Sequence, residues 1–139
     1  VIGSNDKRSS KLMKSIYNPL ISKGAQFLLT QRRAAELIKY ASNSFLATKI
    51  TFINELANLS EKTGVDIKDI SLGMGSDQRI GDRFLRAGPA YGGSCFPKDT
   101  KSLMHMAGQA GYDFRFLDTA VAVNEEQFDR VVKKICNAL

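Results

Sequence analysis

The 139 residues predict a mainly α-helical chain built on one long core helix, preceded by a strand–helix–strand unit. Apolar residues recur at three-to-four spacing over most of the length after Thr30, the period of helices with one buried face. The two short runs with strand character, Val1-Ile2 and Ala25–Leu29, flank a helical stretch at the start. The long region without periodicity, Gly73–Gly93, carries Gly73, Gly75, Gly81, Gly88, Gly92, Gly93 and Pro89, too many breakers for a regular element.

In order, Val1-Ile2 reads as a strand that leaves through Gly3-Ser4-Asn5. Leu12, Met13, Ile16, Tyr17 and Leu20 mark a helix from about Asp6 to Ser22, which Gly24 ends, and Ala25–Leu29 is the second strand. Strand, helix, strand is the unit of a parallel sheet, and one unit does not make a sheet alone. Thr30 is the expected N-cap of a helix running to about Lys62, with Gly64 past its end. Ile38, Ala41, Phe45, Phe52, Leu56 and Leu59 form one apolar stripe on it, and Leu46, Ile50, Ile53 and Ala57 a second. A helix apolar on so wide an arc is covered on more than one side, by its own domain and by a second subunit. Asp66 caps a short helix to about Leu72, with Asp69 in a capping-box position. The glycine-rich region is expected to be a long loop with a short helix near Gly81–Ala87, and long ordered loops are usually functional. Helices from Pro97 to about Ala110 and from about Phe116 onward complete the chain.

Composition bounds the class. Hydrophobic residues make 43% and charged residues 24%, the balance of an ordinary globular protein. No apolar run reaches the roughly 18 residues that would span a bilayer, and no signal peptide opens the chain. Cys95 and Cys136 make no disulfide framework, so a cytoplasmic location is expected. The net charge of +6 gathers early, from Lys7 to Lys39, without interleaved aromatics or a nucleic-acid motif, which favours a solvated face or a small anionic ligand over nucleic acid. No spacing of His, Cys, Asp and Glu fits a metal site. His105 reads as a packed or surface residue on its helix, and Cys136 as a core or interface residue on the last one. The chain opens without Met and stops within a helical period, so it reads as a piece of a longer protein.

Two clusters carry chemistry. In Ala90-Tyr-Gly-Gly-Ser-Cys-Phe-Pro-Lys-Asp99, Pro97 suits the first turn of a helix, which places Cys95 at the helix mouth beside Lys98. A helix N-terminus and an ammonium both favour a negatively charged sulfur, the setting of a nucleophilic thiolate. Composition alone allows the blander reading of a small buried cysteine in a turn. Lys39 and Asn43, four apart on the long helix, share a face and could steady a developing oxyanion, or could simply form a polar stripe facing water. Asp99 could order Lys39, Lys98 or a water, or merely complement the helix dipole.

The stretches Ala35–Asn43, Phe45–Ile50 with Asn54-Glu55, Asp77-Gln-Arg-Ile-Gly81 and Phe84–Asp99 together resemble the nucleotide-sugar 6-dehydrogenases, over about Val1 to Glu125. The resemblance implies that residues 1–30 are the end of a Rossmann-type NAD-binding domain. Residues 31–139 would be the helical central dimerisation domain with its connecting helix toward a further domain. It implies two successive NAD-dependent oxidations of a sugar C6 alcohol to a carboxylate, with Cys95 carrying first a thiohemiacetal and then a thioester. Lys39 and Asn43 would steady the oxyanions, and Asp99 would order Lys39 and the hydrolytic water. Arg79 would bind substrate across a homodimer, with Phe84, Arg86, Tyr91 and Gly92 on the loop around the nucleotide sugar. Cys95 and Lys98 would lie near the NAD cofactor, which is held mainly by a domain that this sequence lacks, since the glycine-rich dinucleotide fingerprint is not in it. The 139 residues alone are therefore expected to fold and dimerise without turnover. Within the resemblance, Tyr91 and Phe96 imply UDP-glucose oxidised to UDP-glucuronate over the GDP-mannose branch, and a helical dimerisation module without chemistry is the alternative of another class.

Overall fold

The structure, a computed structural model, describes residues 1–139, which form two compact units, Val1–Ala41 and Ser42–Leu139. In the first, β1 (Ile2–Gly3) pairs in parallel with β2 (Leu29–Thr30), Ile2 opposite Leu29 and Gly3 opposite Thr30. Between them runs α1 (Lys7–Ile21), whose N-cap Asp6 accepts the Ser9 N–H at 2.7 Å. Gly24, at φ +90°, turns the chain back, as a residue without Cβ can. Gly3 is required by packing: a Cβ there would stand 2.8 Å from Arg32 Cα and from Ala35 Cβ.

Two expectations are corrected here. The second strand is confined to Leu29–Thr30 instead of Ala25–Leu29, because a ladder extends only as far as its partner and β1 has two residues. Thr30 is therefore strand, not helix cap. The long helix α2 spans Arg32–Thr63, about 48 Å of rise. Gln31 accepts its first intrahelical bond, from Ala35 N–H, and Asn5 Oδ1 takes the Arg32 N–H at 3.3 Å.

The second unit packs the remainder of α2 with α3 (Ile67–Gly75), α4 (Phe96–Gln109) and α5 (Arg115–Ala138). Asp66 caps α3 through Lys68 N–H, as its sequence position indicates. Ala47, Ile53, Leu85, Tyr91, Leu103, Leu117 and Ala120 form the core. The second apolar stripe of α2 faces it, with Ile53 wholly buried, whereas Phe45, Phe52 and Leu59 of the first stripe are exposed. Thr51 Oγ1 donates to the Ala120 carbonyl (3.4 Å), and Asn58 Nδ2 to Gln127 Oε1 (2.8 Å), tying α2 to α5.

No helix forms at Gly81–Ala87, a further correction. Phe84 stands at φ +65°, outside helical backbone, and side chains claim the peptide groups that a helix would use. The Lys49 ammonium donates to the carbonyls of Ile80 and Gly81, Ser71 Oγ to that of Leu85, and Asn54 Oδ1 accepts the Gly88 N–H. No helix is long and apolar enough to cross a membrane.

Candidate active site

The start of α4 carries the candidate residues of the second unit. Pro97 occupies its first turn, where a missing N–H costs nothing, and Cys95 takes the N-cap position with its carbonyl accepting Asp99 N–H at 2.9 Å. Its side chain makes no capping bond. The thiol is exposed, with Ser94 Oγ 3.8 Å from Sγ. The expected placement of Cys95 at a helix mouth is thus found, and the buried-cysteine alternative is not.

One turn into the helix, Asp99 is 1% exposed. Its Oδ2 accepts Asn43 Nδ2 at 2.6 Å, which joins α4 to α2, and its Oδ1 accepts the Lys98 ammonium at 2.5 Å. The Lys98 side chain is itself 65% exposed. A buried carboxylate needs such donors, because desolvation without them would favour the neutral acid. Lys39 stands one helical turn before Asn43 on the continuous α2, the four-residue spacing read from the sequence.

The approach to Cys95 is an aromatic cluster and a clamped loop. Phe96 meets Phe84 edge-on at 6.2 Å and Tyr91 at 6.0 Å between centroids. Burial pushes the Tyr91 phenol above its ordinary pKa, partly offset by the Thr100 hydroxyl. Tyr91 is thus a core residue, while Phe84, Arg86 and Gly92 remain exposed or partly so. Ala90 at φ +125° and Gly93 at φ +77° bend the chain toward the helix. Arg79 lies on the exposed turn after α3 with its guanidinium on Asp77, Nη2 to Oδ2 at 2.6 Å. That pairing holds the Asp77 carboxyl below its ordinary pKa and raises that of Arg79.

The structure therefore brings Asn43 and Lys98 onto Asp99, one helical turn past Cys95, gathers Phe84 and Tyr91 around Phe96, and leaves Arg79 and Arg86 on the loop surface. The residues that sequence reasoning misses are amides. Asn124 holds both peptide groups of Tyr91, its Oδ1 accepting the N–H at 2.8 Å and its Nδ2 donating to the carbonyl at 3.1 Å. Gln127 Nε2 donates to the Gly88 carbonyl (3.1 Å), and Asn54 Oδ1 accepts the Gly88 N–H (2.7 Å). Their signal is polar residues on core-facing arcs of otherwise apolar helices.

Comparison with known proteins meets this geometry. Residues 33–126 match the model of the UDP-glucose/GDP-mannose dehydrogenase family, central domain. A UDP-glucose 6-dehydrogenase of Rickettsia prowazekii is 51% identical over the whole chain, which covers 32% of that protein. One from Bacillus subtilis is 48% identical over the whole chain, covering 31% of its length. The structure of a UDP-glucose dehydrogenase from Pyrobaculum islandicum superposes with a TM-score of 0.83 at 38% identity, over 89% of this chain and 28% of that one. The chain thus spans about a third of the length of the relatives it matches. With the helical architecture, the Gly-Gly-Ser-Cys turn and the matched segment in agreement, the chain belongs to the UDP-glucose/GDP-mannose dehydrogenase family, whose central domain it contains.

Proposed function

We propose that this segment supplies the nucleophile of an NAD-dependent UDP-glucose 6-dehydrogenase that makes UDP-glucuronate. The observation that carries the reading is the exposed Cys95 at the N-cap of α4, with the buried Asp99–Asn43 link one turn behind it. A dinucleotide would meet this face at Cys95, which is exposed, and at Lys98, whose side chain is mostly exposed. Bound NAD would accept a hydride in each of the two oxidations.

The chain's own residues do the rest. The Cys95 sulfur attacks the C6 aldehyde left by the first oxidation, forming a C–S bond and an oxyanion that takes up a proton. Loss of hydride from that thiohemiacetal carbon gives a thioester. Water then adds to the carbonyl, the C–S bond breaks, and the carboxylate and the free thiol result. A thiolate suits both ends of the sequence, as nucleophile and as leaving group. Asn43, held by Asp99, supplies a donor for the oxyanion at each addition, and the family resemblance makes Lys39 the second. Phe84, Arg86, Tyr91 and Gly92 belong to the loop around the nucleotide sugar, and Arg79 reaches the substrate of a second subunit. A homodimer through α2 accords with the uncovered Phe45, Phe52 and Leu59. A cytoplasmic location accords with two free cysteines.

The test is Cys95→Ser in the full-length protein, following NADH formation with UDP-glucose and with GDP-mannose. Wild type is expected to prefer UDP-glucose, and the variant to lose turnover by about a thousandfold or more, because an alkoxide is a poor leaving group. Unchanged turnover in Cys95→Ser would overturn the mechanism, and preference for GDP-mannose would overturn the substrate.

A further inference from the structure

We propose that Asn124, seconded by Gln127, is a positioning residue that fixes the Gly88–Tyr91 segment and thereby the affinity of the site for its nucleotide sugar. This rests on the reading of the Phe84–Gly92 loop as the substrate loop. The loop has no secondary structure of its own, so its peptide groups must find partners elsewhere if they are buried. They find them on helices. Asn124, 4% exposed on α5, offers its acceptor to Tyr91 N–H and its donor to Tyr91 carbonyl, the pair of bonds a neighbouring strand would make. Three residues along the same helix, Gln127 holds the Gly88 carbonyl while Asn54 on α2 holds the Gly88 N–H. Both peptide groups of Gly88 and of Tyr91 are thus saturated by three buried amides.

Beyond Tyr91 the chain changes character. Gly92, Gly93, Ser94 and Cys95 are all exposed, and the first backbone bond after the clamp is Asp99 N–H to Cys95 carbonyl. Only Gly92, Gly93 and Ser94 separate the last clamped residue from the nucleophile, and two of them are glycine. A glycine pair holds no conformation by itself. The path from Tyr91 to Cys95 is therefore defined at one end by the α4 N-terminus and at the other by Asn124. Ala90 at φ +125° shows that the anchors impose backbone geometry that alanine would not choose. Release of the Tyr91 end would let the loop relax away from it.

The experiment uses the full-length enzyme with Asn124→Asp, Gln127→Met and, as a control, Thr51→Val, which removes an α2–α5 bond that does not involve the loop. Asn124→Asp keeps the acceptor for Tyr91 N–H but sets an oxygen against its carbonyl. Both loop variants are expected to raise the UDP-glucose KM about tenfold, the effect of one good hydrogen bond, with the NAD KM held within about twofold. Alkylation of Cys95 by iodoacetamide should also quicken, and the Tyr91 and Gly88 amides should exchange faster. Thr51→Val should move none of these. Loop variants that melt earlier but keep the wild-type KM and alkylation rate would overturn the proposal, as would a Thr51→Val enzyme that behaves like them. If wild type itself proves inactive on UDP-glucose, the substrate reading fails. The alkylation and exchange contrasts then still decide the clamp.

Discussion

Asp99 combines a buried carboxylate with the first turn of a helix, and its donors Asn43 and Lys98 differ in kind. Asn43 is half-buried and rigid on α2, whereas Lys98 carries its charge at the end of a mostly exposed stem. The first bond should matter more, because solvent competes for the second. Asp99→Asn is expected to cost about 1–3 kcal/mol, since its amide nitrogen must face either Asn43 Nδ2 or the Lys98 ammonium, donor against donor. Lys98→Met should cost about 1 kcal/mol or less. Denaturant midpoints at constant slope measure both, and a larger loss for Lys98→Met would show that the ammonium, not the amide, holds the carboxylate in place. Of this cluster, the Cys95–Asp99 arrangement is legible in the sequence because a single helix start fixes it. The Asn43–Asp99 contact joins positions 56 apart, and no reading of the sequence pairs them; the resemblance sets Asp99 against Lys39 and a water instead.

Helix ends are the most readable elements, since capping is local chemistry. Asp6, Asp66, Gly24, Gly64 and Pro97 stand at the ends their residue types mark, and α1 and α4 differ from the sequence reading by a residue or so. Thr30 departs from it because strand pairing with Gly3 prevails over a local cap. The Gly81–Ala87 helix is missing because Lys49, Ser71 and Asn54 bind the peptide groups of that stretch from afar. Neither competitor has a local signature. Asp6 shows what a cap adds. Hydrogen bonds from Ser9 hold its carboxyl below the ordinary 3.8, so the folded state releases its proton more readily than the unfolded chain does. The stabilisation is thus full above the ordinary value and disappears as pH falls through the lower folded one. The Ser9 amide resonance should titrate with a midpoint below 3.8, and Asp6→Asn should abolish that titration while keeping the cap. A midpoint at or above 3.8 would mean that the bond to Ser9 does not form in solution.

For the whole molecule, the decisive feature is which face of α2 stays uncovered. Phe45, Phe52 and Leu59 recur every seven residues and are 66%, 51% and 54% exposed, while Ile53 on the same helix is fully buried. A seven-residue apolar repeat is the seam by which helices pair. Each of these side chains would gain about 1 kcal/mol on covering its exposed half, and a twofold pairing counts every contribution twice. Phe45→Glu with Phe52→Glu places two carboxylates in the seam and leaves Ile53 in its core position. In the full-length protein the double variant is expected to be monomeric by light scattering at concentrations where wild type is dimeric, with its helix content unchanged. A wild type that is monomeric throughout, or a double variant that pairs as tightly as wild type, would place the interface away from this stripe and leave the exposure of its phenylalanines without a role.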